Sequence, residues 1–368
     1  MRNPIIDIAK GLGIVLVVLG HNPLLVPPGS EAFRIVFSFH VPLFLFLAGV
    51  FFRPSQPLPA LVRQKADALL KPYLAVALTV LVANLALTRQ FDPQGLAALA
   101  WATGPTLRTW AALWFLPHLF LVFCLSRLLL ASAPLRALAA RAGEVATSAG
   151  LAAALLAAGV ALLGPSGLIA APAAAWFGRP VVGLPFSADL LALNTAFFLA
   201  GHAAARPVLD FRFRPLPTLA ALGIFATLHA LFDESLDLNL RHYGQFWIAS
   251  AEVASGIYLA LAASALLARV PALTRAFSHL GGVTLTVLIF HAPFQGVFIY
   301  LLKRHAVPVP AVAGGLAALA LGLALPLGIA ALAARWRWLG RWLLPAPRSA
   351  SGGRAAGASA TASAAGPA

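Results

Sequence analysis

Cysteine occurs once in the 368 residues, at Cys124, which rules out an intramolecular disulfide and any cysteine-based zinc site. Charge is scarce as well: Asp, Glu, Lys and Arg together make up 10% of the chain, and only 11 residues are acidic against 26 basic. There is no Walker loop, no His-Glu-x-x-His and no Gly-x-Ser-x-Gly, so nucleotide hydrolysis, zinc proteolysis and serine-hydrolase chemistry have no motif. The two halves show no internal repeat. A net charge of +15 would suit a nucleic-acid binder, but the Lys and Arg residues cluster between apolar stretches instead of forming stripes, so no nucleic-acid partner is expected.

What is abundant is apolar. At 61% hydrophobic the chain is too greasy for one or two soluble domains and fits a polytopic membrane protein. Lipid cannot satisfy free backbone groups, so the expected fold class is all-α, with membrane lipids as constant partners. Apolar runs predict ten spans, near 5–25, 32–52, 69–88, 110–131, 147–164, 186–205, 216–233, 246–269, 281–302 and 310–334. The first lacks a small-x-small cleavage pattern before Pro27-Pro28 and reads as a permanent span rather than a signal peptide. With the N-terminus inside, inner segments hold 19 Lys and Arg residues and outer ones 7, which predicts both termini in the cytoplasm of a plasma (bacterial inner) membrane. The acidic loop Asp233-Glu234…Asp237 then falls outside. Residues 1–345 read as one membrane-embedded domain, and the Ala/Ser/Gly-rich 346–368 as a disordered cytoplasmic tail.

Ionisable side chains inside such runs mark candidate sites, because each costs free energy in lipid unless partnered. His21 ends the first run and His40 interrupts the second. On a helix, Lys10 and His21 differ in direction by about 20° and Asp7 by about 40°, so the three share one face. Each histidine is followed closely by a proline, His21 by Pro23 and His40 by Pro42; Pro117-His118 and His291/Pro293 repeat the pairing. Pro42 frees the carbonyl of Ser38, and helices broken in this way are expected where they line a cavity. A lone histidine of this kind can simply bond a neighbouring helix; two in consecutive spans favour a shared site. Glu252 is a lone acid in the eighth span, able to meet a cavity histidine, while Asp189 and Asn194 in the sixth could bind sugar hydroxyls or, for Asp189, simply be hydrated. Arg53, Arg63, Lys65 and Lys71 form the densest basic cluster near the early spans. It reads either as a topology signal on anionic lipid or as a cradle for donor phosphates.

The segments Asp7-x-x-Lys10-Gly…Gly20-His21-x-Pro23 and Phe37-x-Phe39-His40-x-Pro42-Leu-Phe…Gly49 resemble the start of the membrane-bound acyltransferase-3 family, especially its fucose 4-O-acetyltransferase-like branch. Trp114-Phe-Leu, the Lys71-Pro72-Tyr73 region, the sixth span and the late helix with His291 extend the resemblance over most of the chain. Many members carry Arg where this chain has Lys10, and Ser where it has Ala48. The resemblance implies an O-acyltransferase that uses acetyl-CoA or another acyl-CoA as donor substrate, with no permanently bound cofactor and no metal. The acceptor would be a carbohydrate, lipid-linked sugar or glycolipid. His21 would be catalytic with His40; Asp7, Lys10, Trp114, His291 and Glu252 would support it; and Lys10, Arg53, Arg63, Lys65 and Lys71 would bind the donor. A secondary transporter or polysaccharide exporter is the competing reading, since broken helices and intramembrane His and Glu suit proton-coupled transport equally well.

Overall fold

The computed structural model describes residues 3–177, 181–234 and 236–346. Along the chain the helices are α1 (Pro4–Gly20), α2 (Glu31–Val50), α3 (Leu58–Lys65), α4 (Lys71–Thr88), α5 (Pro93–Trp101), α6 (Gly104–Leu107), α7 (Phe115–Ala131), α8 (Ala133–Ala142) and α9 (Glu144–Phe177). They continue as α10 (Leu191–Ala203), α11 (Ala205–Leu209), α12 (Pro215–Leu231), α13 (Phe246–Leu267), α14 (Pro271–Gly282), α15 (Thr284–Arg304), α16 (Ala311–Arg335) and α17 (Arg337–Leu343). The one sheet among the described residues is a hairpin of β1 (Leu236–Asp237) and β2 (His242–Tyr243). The protein is therefore all-α and polytopic. Each expected span overlaps a helix, but seven helices among the described residues are long and apolar enough to cross a bilayer. α1, α10 and α12 fall short at 17, 13 and 17 residues. Of the expected tail, residues 347–368 lie outside the described residues.

Local chemistry sets the ends of the helices that matter for function. Asn3 caps α1 by accepting the Ile5 and Ile6 amides, and Pro4 occupies its first turn, where a missing N–H costs nothing. The helix stops at His21 because Asn22 turns the chain: its side-chain oxygen accepts the Leu24 and Leu25 amides while its amide donates to Gly315 O at 2.7 Å. Ser30 caps α2 through the Phe33 amide. The expectation that prolines break the helices at depth is corrected here: α2 runs unbroken through Pro42 and α15 through Pro293. A proline ring removes one helical hydrogen bond, and packing on both sides holds the remaining turns. The irregular backbone lies elsewhere, in a π-helical turn over Ala66–Leu70 joining α3 to α4 and a 3₁₀ segment over Arg108–Trp114 leading into α7.

In lipid, helices are held by close packing and not by exclusion from water. α2 and α10 cross at two glycines: a Cβ on Gly49 would sit 1.8 Å from Phe198 O, and one on Gly201 would sit 1.9 Å from Phe46 O. No side chain larger than hydrogen fits at either. α1 lies in the middle of the bundle against α2, α13, α14 and α15, and its Ile6, Ile8, Ala9, Ile14 and Val18 are fully buried.

Candidate functional site

The shared face read from the sequence lines a cavity of about 270 Å³. Lys10, Ile14, Val17 and His21 of α1 run along it at helical spacing. Eleven residues at 1.5 Å each put Lys10 about 16 Å from His21 along the axis. His40, Val41, Phe44 and Leu47 of α2 form the facing wall, with Trp114, Phe115 and Leu119 on one side and Leu285 and Leu288 of α15 on the other. Between the two ends the lining is almost wholly apolar. Pro345 lies at the Lys10 end, and Asn239, from the hairpin loop, lies at the His21 end.

His21, His40 and His291 come together at that second end. His21 and His291 meet edge to face with ring centroids 5.0 Å apart, and Phe37 stands between the other two, 6.1 Å from His21 and 4.8 Å from His40. Each ring is held in the same way, by its own helix. The Nδ1–H of His21 donates to Val17 O at 2.9 Å, that of His40 to Val36 O at 2.9 Å, and that of His291 to Val287 O and Leu288 O, both at 2.9 Å. A carbonyl can only accept, so these bonds place the proton of the neutral ring on Nδ1 and leave Nε2 with its lone pair. Three unprotonated nitrogens are thus presented by three helices, and that of His291 is buried without a partner. One turn past His291, Gln295 donates to Val18 O at 2.9 Å and locks α15 against α1.

Other residues singled out from the sequence lie elsewhere. Asp7 pairs with Lys10 at 3.8 Å, at the far end of α1 from His21. Glu252 does not meet a cavity histidine; its carboxylate stands 3.6 Å from Nδ1 of His229 on α12, a residue the sequence reading passed over. His118 is fully buried and bonded at both nitrogens, donating from Nδ1 to Phe186 O at 3.1 Å and accepting from Asn194 at 2.8 Å. That bond spends one N–H of the Asn194 amide, and the side chain is fully buried, away from any sugar at the surface. Nor is Asp189 a hydrated surface acid: its side chain is fully buried and takes both arms of Arg241, at 2.7 and 3.2 Å, together with the Leu184 amide at 2.9 Å. Arg241 also donates to Asn239 O at 2.9 Å. This buried pair pins the hairpin over the histidine end.

The basic cluster divides in two. Arg53 and Arg63 are exposed, whereas the Lys65 ammonium sits 3.5 Å over the Phe123 ring. Lys71 donates to Asp67 at 2.6 Å and to Leu344 O at 2.8 Å, and Asp67 also accepts the Ala346 amide at 2.7 Å. The last described residues are therefore strapped beside the Lys10 end of the cavity. Trp114 lines the cavity and packs its ring 5.3 Å from His118.

Two contributors escaped the sequence reading. Asp237 and Asn239 belong to the acidic loop assigned only to the outside, yet with Leu236 and Leu238 they close over Phe37, His40 and Trp114 around a void of about 10 Å³. Asp237 accepts the Asn239 amide at 2.9 Å and the Leu240 amide at 3.2 Å, an Asx turn that the Asp-x-Asn spacing could have flagged. Burial is the largest influence on its carboxyl and raises its pKa, against the opposing pull of those two amides, His21 and His242. Among the described residues, no three His, Cys, Asp or Glu side chains are arranged to hold a metal ion.

A polytopic helical bundle around an apolar cavity, with imidazoles gathered at one end, defines a membrane protein with a buried polar site. Residues 3–334 match the family model described as an acyltransferase domain, and the chain belongs to that acyltransferase-3 family. It is thus a membrane acyltransferase by family. No curated protein and no solved structure matches the chain.

Proposed function

We infer that this protein is an O-acyltransferase of the plasma membrane that moves an acyl group, acetyl in the first instance, from acyl-CoA to a hydroxyl of a carbohydrate or glycolipid. The observation that carries this reading is the cavity itself, apolar along its length, with Lys10 at one end and the Nε2 of His21 at the other. A thioester on a long, thin arm suits such a passage, since the anionic part of the donor can stay near Lys10 and the exposed Arg53 and Arg63 while the acyl carbon reaches the histidines. Lys65 and Lys71 serve that end less directly, one over an aromatic ring and the other holding the chain at Leu344. The 19 to 7 distribution of basic residues supports a cytoplasmic position for the Lys10 end, where acyl-CoA is made available, and for both termini. Residues 1–345 act as one domain in this reading.

The chemistry follows from the ring tautomer. As the acceptor oxygen bonds to the thioester carbon, its proton passes to Nε2 of His21; the C–S bond then breaks and the thiolate recovers a proton from the imidazolium, leaving an ester and free thiol. Val17 O orients the ring throughout and takes on the role of the third group in a hydrolase triad. His40 and His291 shape the same end of the cavity. The test is His21→Ala, purified in lipid and assayed with radiolabelled acetyl-CoA and an envelope glycan. Transfer should fall about 10²–10⁴-fold while the variant inserts and unfolds like the parent. Transfer at the parent rate would defeat the assignment and favour transport instead.

A further inference from the structure

A second pocket, of about 400 Å³, lies outside the histidine cavity, between α4, α5 and the segment 106–113. Its lining is of a different kind. Asn84, Asp92, Gln94, Arg108, Thr109 and Trp110 all face it. Asp92 spends one carboxylate oxygen on the Gly95 amide, at 2.7 Å, as the cap of α5, and its second oxygen is left over. Among the described residues, no hydrogen bond or ion pair engages the side chains of Asn84, Gln94, Arg108 or Thr109. The pocket thus gathers two carboxamides, a hydroxyl, a guanidinium and a carboxylate oxygen around one indole, with Gln94, Arg108 and Thr109 open to solvent.

The backbone beneath them is strained. Arg108 has φ of 52° and ψ of −119°, which side chains other than hydrogen rarely tolerate, and Trp110 is kinked out of helical geometry at φ −99° and ψ 24°. Strain of this kind persists where the surroundings hold it, and it gathers at binding sites. The strained segment is also a wall shared by two chambers. Trp110 and Leu113 line the polar pocket, while Ala112 and Trp114 line the histidine cavity. Trp110 further packs against Phe290, the neighbour of His291, with ring centroids 6.1 Å apart.

We propose that this pocket is a saccharide-binding subsite that holds a sugar ring of the acceptor chain beside the transfer site. Carboxamides and a hydroxyl both donate to and accept from sugar hydroxyls, the Arg108 fork spans two adjacent ring oxygens, and an indole offers a flat apolar face to the C–H side of a pyranose. A phosphate-only ligand fits less well, because Asp92 opposes it. An acyl chain would find too many polar groups. The pocket forms at the far end of α4 from the basic cluster, so a glycan would reach it from the side opposite the donor. The proposal rests on the acyl-transfer reading for its purpose but not for its test.

The test uses the full-length protein in lipid nanodiscs over an array of immobilised bacterial glycans. The parent should bind at least one glycan. Arg108→Ala and Gln94→Ala should each weaken that signal by about tenfold without a change in thermal unfolding. Gln94 and Arg108 are both exposed, so neither substitution should disturb folding, and each variant checks the other. Absence of glycan binding by the parent, equal binding by all variants, or full displacement by inorganic phosphate would each overturn the proposal. Glycan binding without any acyl transfer would leave the subsite standing and remove the transferase reading instead.

Discussion

His21 and His291 meet edge to face, 5.0 Å between ring centroids, although one ends the first helix and the other sits in the fifteenth. The contact gives the His21 ring a wall from another helix, while Val17 O fixes its rotation. Misplacement of a reacting group by about 1 Å can cost roughly 10²-fold in rate. His291→Ala, which removes the wall, should therefore lower kcat by about ten- to a hundredfold and leave the donor KM in place. His291→Phe, which keeps a flat ring there, should retain most of the activity. Equal losses in both variants would mean that the His291 nitrogen handles a proton and does more than pack.

The Asp189–Arg241 pair is buried at both ends, and so the two partners depend on each other. Removing one leaves the other charge without compensation, which costs about 3–5 kcal/mol. Asp189→Ala should lower the thermal unfolding temperature sharply, and the Asp189→Leu/Arg241→Met double variant should recover much of the loss. Single and double variants that unfold alike would show the hairpin to be held by Leu236 and Leu238 alone.

Packing at the α2–α10 crossing leads to a third expectation. A Cβ at Gly49 or Gly201 would overlap a backbone oxygen of the facing helix, which cannot swing aside as a side chain can. Gly49→Ala and Gly201→Ala should each destabilise by about 1–3 kcal/mol or more, measured by unfolding in detergent. Because either substitution already forces the helices apart, the double variant should lose less than the sum. Additive losses would mean that the two glycines act independently.

Much of this architecture was legible as pattern. Apolar runs of membrane length overlap helices throughout, since in lipid a helix is the local solution for every backbone group. The alignment of Lys10 with His21 was legible for a similar reason, as a 3.6-residue period needs no knowledge of neighbouring helices. Features that depend on distant partners were not legible. Nothing in the run around Asn194 says that His118 will take its amide, and nothing near Asp189 says that Arg241 will arrive on a hairpin from beyond α12. Prolines misled in the other direction: the Pro42 signal for a broken helix is real chemistry, yet one lost bond does not interrupt a helix packed along its length. His229 went unnoticed because it carries no motif and gains interest only from Glu252 beside it.

Asp237 gives the last expectation, and it concerns pH. Its carboxyl lies in the loop between spans, where burial raises its pKa above the ordinary carboxylate value. The folded protein therefore keeps this proton to higher pH than the unfolded chain does. A group of that sign lowers stability as pH rises through the window from the ordinary value, about 3.9, up to the raised one, and the loss is complete above it. At neutral pH, above the ordinary value, the carboxyl of Asp237 is thus a cost to the fold. Asp237→Asn removes the charge and keeps an oxygen able to accept the Asn239 and Leu240 amides, so the Asx turn survives. The variant should unfold at a higher temperature than the parent at pH 7, and the difference should shrink as pH falls toward about 4. It should also lose activity if the retained carboxylate serves His21, whose ring lies within its electrostatic reach. Thermal unfolding and acetyl transfer followed on the same preparations across that range test both halves: an unchanged or lower unfolding temperature at pH 7 would reject the stability argument, and full activity with higher stability would make the carboxylate dispensable to the site.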